Sequence, residues 1–67
     1  MYISDSVVRK ILKEAGAARV SEEACTEFQK RLNKLAFDTA SKAVRLSKHA
    51  KRKTVEASDI KLAYGSE

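Results

Sequence analysis

The feature that most constrains this chain is an apolar stripe running without a break from about Ser21 to Ala50. Ala24, Phe28, Leu32, Leu35, Thr39, Ala43, Leu46 and Ala50 recur at spacings of three and four, and Cys25, Ala36, Ala40 and Val44 widen the band. Such spacing places all of them on one face of a helix. Nothing interrupts it, because the chain has no Pro and its two glycines, Gly16 and Gly65, lie outside this stretch. The pattern predicts one helix of about 29 residues, roughly 44 Å long. Two short flanking segments cannot cover a stripe of that length, whereas a second copy crossing it can. Ala36, Ala40 and Ala43 would let two such helices approach closely near their middles. The chain is therefore expected to fold as an obligate dimer built on crossed central helices.

The flanks read as short helices. Ser4 or Asp5 can cap a first helix by accepting orphan amide protons. Val7, Val8, Ile11, Leu12 and Ala15 form its apolar side, and Gly16 suits its left-handed end. Ser21 is a second cap, followed by Glu22 and Glu23 where carboxylates complement the helix dipole. A third helix has Ala57, Ile60, Leu62 and Ala63 as its apolar side and Asp59 in its first turn. The expected fold is all-α, one domain over residues 1–67, with helices at about 4–15, 21–50 and 56–64. The β-branched pair Thr54–Val55 suggests a short extended piece, able to pair with the Val20 loop across the dimer. Tyr2 and Tyr64 are expected to pack as lids near the ends.

A chain of 67 residues has a marginal core and needs a staple or a partner. Its single cysteine, Cys25, closes no internal disulfide and reads as a small core residue. One Cys and the single His49 cannot supply the four ligands of a structural zinc site. No metal, no cofactor and no small-molecule substrate is expected. Catalysis needs a base and an orienting group, and none is offered, so an enzyme is not expected. No apolar run approaches a membrane span. Met1-Tyr2-Ile3-Ser4-Asp5 lacks the basic and apolar regions of a secretory leader, so a reducing cytoplasmic interior is expected.

Charge carries the functional signal. Fourteen Lys and Arg against nine Asp and Glu leave a net charge of +5 at pH 7, which favours a polyanionic partner. Between Thr39 and Val55 there is no acid, while Lys42, Arg45, Lys48, Lys51, Arg52 and Lys53 crowd together with His49. The helix dipole accounts for Arg45 and Lys48, although these and Lys42 also suit a solvated face. It does not account for three consecutive loop cations, which repel one another unless an anion binds. If the two loops meet across a dimer, Arg19 joins Arg52, Lys53 and Thr54, whose hydroxyl and amide proton suit a phosphate. Arg9, Lys10 and Lys13 form a further basic site near the dimer centre. Three such sites would match phosphates along a bent duplex without reading bases.

Ala15-Gly16-Ala17-Ala18-Arg19-Val20-Ser21, Arg52-Lys53-Thr54-Val55 and Ala57-Ser58-Asp59-Ile60-Lys61-Leu62-Ala63, with Ala40-Ser41-Lys42-Ala43 and His49-Ala50, stand in one order and spacing over about Val7 to Ala63. In this the chain resembles the archaeal histones. The resemblance implies a histone-fold handshake dimer that wraps double-stranded DNA and associates with the chromosome. It implies that Arg19 enters the minor groove, that Lys53 and Thr54 hold phosphates, and that Arg52 and Asp59 form a structural ion pair. It further implies that Leu46, His49, Asp59 and Leu62 join dimers into tetramers or larger assemblies, with His49 of one dimer meeting Asp59 of the next. By composition alone His49 reads as a surface or capping residue.

The chain also departs from the family pattern. Lys51 stands where the family has Gly, so a Lys must take a left-handed backbone or the helix must end differently, and a cation is added beside the DNA. Ala18 replaces an acid, and Phe37 replaces a basic residue. Lys34 and Lys61 would weaken stacking of dimers. The function expected is compaction of DNA with little sequence preference, by a homodimer or a dimer with a paralogue. The alternative is a histone-fold subunit of a transcription complex whose main role is heterotypic pairing. A membrane-surface amphipathic protein ranks below both.

Overall fold

The computed structural model describes residues 2–65 and consists of three helices, α1 (Asp5–Glu14), α2 (Glu22–His49) and α3 (Ala57–Gly65). Two compact units, Met1–Lys34 and Leu35–Glu67, share the unbroken α2. No helix among the described residues is long and apolar enough to cross a membrane.

The helix starts are set by side chains. Ser4 caps α1, its Oγ accepting the Val7 N–H at 3.3 Å. Ser21 does the same for α2 through the Ala24 N–H at 3.1 Å. Each satisfies a donor with no partner inside its helix. The expected bounds differ from these by one residue, because the capping residues lie just outside the helical hydrogen-bond ladder.

The ends of α1 and α2 close with the same pair of bonds. After α1, the Gly16 N–H donates to Lys13 O at 3.0 Å and the Ala17 N–H to Leu12 O at 3.0 Å. After α2, the Lys51 N–H donates to Lys48 O and the Arg52 N–H to Ser47 O, both at 2.9 Å. This double reversal needs a left-handed residue at its centre. Gly16 supplies it with φ 117°, and Lys51 supplies it with φ 62°. The second helix thus ends as a glycine would end it, with a side chain bearing the strain.

In the first unit, Val8 and Cys25 are fully buried. The segment before α1 is strapped to α2: Asn33 Oδ1 accepts the N–H groups of Tyr2 and Ile3 at 3.1 and 2.7 Å, and Gln29 Nε2 donates to Ile3 O at 2.8 Å. In the second unit the buried residues are Ala43, Ser47, Asp59 and Ala63. Ser47 satisfies its hydroxyl on Val44 O at 2.9 Å. Of the apolar side expected for α3, Ala63 is buried within the chain. Asp59 and Ala63 turn inward, while Ala57, Ile60 and Leu62 are exposed, because Arg52 draws the Asp59 edge of the helix in. Tyr2 and Tyr64 are exposed rather than packed as lids. Residues 54 and 55 belong to no strand among the described residues. Within the chain, side chains meet the backbone there, Arg52 binding Thr54 O and Asp59 binding the Glu56 N–H.

Much apolar surface stays open. Leu35 (50%), Phe37 (55%) and Val44 (39%) on α2, with Ile60 (44%) and Leu62 (63%) on α3, keep large fractions of their area accessible. Burying the remaining half of such a side chain is worth about 1 kcal/mol. The fold therefore holds unused stabilisation that a second apolar surface would release.

The shared helix ending makes a paired prediction. Lys51→Gly should stabilise the protein by about 0.5–1 kcal/mol, the left-handed strain relieved less the added freedom of the unfolded chain. Gly16→Ala should destabilise it by about 1 kcal/mol. Denaturant unfolding at one fixed protein concentration measures both, and equal signs would contradict the assignment.

Candidate nucleic-acid interface

The basic residues expected to meet DNA fall in the two loops and on α1 beside the first of them. In the first unit the α1–α2 loop carries Arg19, which is exposed. Two cations of α1 brace that loop from behind. Arg9 Nη1 donates to Val20 O at 3.3 Å, and Lys13 Nζ makes a long bond to Ala18 O at 3.4 Å. Arg9 also lies 3.7 Å from Asp5. These residues are spaced so that one face of α1 meets the returning chain. Lys10 sits between them and is exposed.

In the second unit the loop after α2 is built on Arg52. Its Nη1 and Nη2 donate to Asp59 Oδ2 and Oδ1 at 2.9 and 2.8 Å, a two-pronged pairing of guanidinium with carboxylate. Nη1 also donates to Thr54 O at 2.9 Å. Glu56 lies further off, 3.7 Å from Nη1. Asp59 Oδ2 accepts the Glu56 N–H at 2.8 Å, where a side chain in the first turn reaches back to the start of its own helix. One buried carboxylate thus pins the loop and caps α3.

The electrostatics follow from these bonds. The Arg52 hydrogen bonds, then the Glu56 N–H, hold the Asp59 carboxyl at about 2, below its ordinary 3.8. The same pairing raises Arg52 further above its ordinary value. With Arg52 committed inward, Lys51, Lys53 and Thr54 are left exposed along the loop. Three backbone or side-chain anchors therefore present two cations and a hydroxyl outward.

Of the remaining candidates, Leu46 is half-buried and His49 exposed near the end of α2, and both line one open groove with Lys42, Arg45, Lys48 and Ala63. Leu62 is exposed on α3. Asp59 is only 3% accessible and both its oxygens are engaged within its own unit. Among the described residues, no group of three His, Cys, Asp or Glu side chains is placed to hold a metal.

Sequence reasoning missed the bracing roles of Arg9 and Lys13 and the strap formed by Gln29 and Asn33. Gln29 and Asn33 do carry a signal, as two amides one helical turn apart on α2. The carbonyl partners of Arg9 and Lys13 carry none, because any residue type has a carbonyl.

The profile of the family described as "Histone-like transcription factor (CBF/NF-Y) and archaeal histone" matches residues 3–64. "Probable archaeal histone 3" of Methanocaldococcus jannaschii is 54% identical over 54 residues, covering 81% of each chain. A subunit of the archaeal histone HAN1 of Thermococcus zilligii is 39% identical over 56 residues, covering 84% of each.

The carboxylate linkage gives a pH prediction with a definite sign. A carboxyl held at about 2 when folded and near 3.8 when unfolded contributes stability above the unfolded value and loses it as pH falls through the folded one. Wild-type protein should therefore exceed an Asp59→Asn variant in stability at neutral pH, and the gap should close between about pH 4 and pH 2. Denaturant midpoints across that range check it, and a gap independent of pH would contradict it.

Proposed function

Because the chain belongs to the family of histone-like transcription factors and archaeal histones, we propose that it binds and bends or wraps double-stranded DNA, compacting chromatin with little sequence preference. The acting unit in this reading is a dimer of the chain with itself or with a paralogue, associated with the chromosome. The exposed apolar residues Leu35, Phe37 and Val44 support pairing, since the monomer leaves them in water. The observation that carries the reading is the division of labour in the second loop. Arg52 is spent on Asp59 and Thr54, so Lys51, Lys53 and Thr54 present a fixed polar edge rather than a floppy one.

Roles follow from that division. Lys51, Lys53 and Thr54 contact phosphates, and Arg52 holds them in register while adding its charge to the local field. Arg19 enters a narrow minor groove, where the potential is most negative. Arg9 and Lys13 set the position of Arg19, and Lys10 beside them adds a bond to phosphate. Such binding depends on phosphates and DNA deformability rather than base edges.

The test is affinity for duplex DNA measured over a salt series. Wild-type affinity should fall steeply with salt, in proportion to the phosphates neutralised. Lys53→Ala should shallow the slope by about 0.9 for each phosphate it no longer neutralises, roughly two for a dimer. Arg19→Ala should weaken binding most on sequences with narrow minor grooves. Salt-independent binding, or full affinity when Arg19→Ala and Lys53→Ala are combined, would overturn the proposal.

A further inference from the structure

The residues before α1 are held by two amides of α2. Asn33 Oδ1 accepts the N–H groups of Tyr2 and Ile3 at 3.1 and 2.7 Å, and Gln29 Nε2 donates to Ile3 O at 2.8 Å. Both backbone groups of Ile3 are thus engaged. The next residue, Ser4, is the cap of α1. It accepts the Val7 N–H with its Oγ and the Val8 N–H with its carbonyl. No residue of slack separates the strap from the helix.

Further along, α1 holds the loop that carries Arg19. Arg9 donates to Val20 O and Lys13 to Ala18 O, at 3.3 and 3.4 Å, so the carbonyls on both sides of Arg19 are tied to α1. Arg19 itself is exposed. Apolar packing within the chain does little to set the rotation of α1. Of its described residues Val8 alone is buried, while Val7 and Ile11 stay largely open. Burial of area is non-directional, whereas a hydrogen bond constrains both distance and angle.

We propose that Gln29 and Asn33 are positioning residues for Arg19: through α1, their strap fixes the register in which Arg19 meets a narrow minor groove. The inference rests on the proposed reading of Arg19 and extends it to two side chains of α2 that act without touching DNA. Asn33 serves the strap as an acceptor and Gln29 as a donor, so the two positions respond oppositely to a carboxylate. Asn33→Asp keeps both accepted bonds. Gln29→Glu loses its donor and turns a carboxylate toward Ile3 O.

The test compares affinities of the full chain for two duplexes of equal length, one an A-tract with a narrow minor groove and one rich in G·C. Their ratio is the readout, since a fall in folded fraction or an added charge weakens binding to both duplexes together. Wild type should favour the A-tract. Asn33→Leu and Gln29→Glu should each cut the ratio about three- to fivefold, the equivalent of one hydrogen bond, and Asn33→Asp should keep it. In an Arg19→Ala background the same changes should leave the ratio alone, because they act through Arg19. Amide shifts of the DNA-free protein give a second reading. Those of residues 18–20 should move in Asn33→Leu and Gln29→Glu and stay near wild type in Asn33→Asp. A wild-type protein without groove preference, or a preference that survives Arg19→Ala, would overturn the reading of Arg19 and the inference with it. With that preference present, an unchanged ratio or unmoved loop shifts in Asn33→Leu and Gln29→Glu would overturn the inference alone. So would a loss in Asn33→Asp as large as in Asn33→Leu.

Discussion

The pairing of Arg52 with Asp59 ties the end of α2, the loop after it and the start of α3 to one another. A guanidinium matches a carboxylate at both oxygens, so the pair fixes orientation as well as distance. One end of it rests on Thr54 O, and the other on the Glu56 N–H. The turn out of α2, the loop residues after it and the first turn of α3 are thereby held as one piece. Replacing Arg52 by Lys would keep the charge and lose the two-pronged fork that sets the orientation. The outward edge of the same loop inherits this rigidity, and a rigid edge loses little entropy on meeting phosphates.

The second constraint is a shortage of interior. Among the described residues, Val8, Cys25, Ala43 and Ala63 are the buried apolar ones, and three of them are small. The large side chains of α2 and α3 are half-covered or open. A chain of this size cannot enclose its long helix with two short ones. The same helix that denies the monomer a core offers a continuous apolar surface to a partner, so stability and assembly become one problem. The polar strap from Gln29 and Asn33 to the first residues works at the margin of that problem, satisfying backbone groups that a larger core would bury.

Most of the architecture was legible in the sequence because it is written in local chemistry. The stripe between Ser21 and Ala50 is an uninterrupted helix, Glu22–His49, and Ser4, Ser21 and Gly16 act at the boundaries where their side chains, or lack of one, predict. Lys51 illustrates a reading carried by resemblance alone, since nothing local marks a lysine as left-handed. The burial of Asp59 on α3 was not legible in hydropathy. A charged residue sits inside the unit because Arg52 is there to pair with it, while Ile60 and Leu62 keep their apolar side open in the single chain. The supports of the first loop were invisible for a different reason. Arg9 and Lys13 bind backbone carbonyls, and a carbonyl leaves no trace in the choice of amino acid. Charge counting reads such residues as free for a ligand when some of their bonding is turned inward.

The central claim is that braced loop cations on a paired long helix hold and deform duplex DNA. Nuclease digestion of long DNA reconstituted with the pure protein at low salt tests it most directly. The account predicts protected fragments of discrete length that disappear as salt is raised. Uniform digestion, with no protected fragment at any protein concentration in low salt, would contradict it.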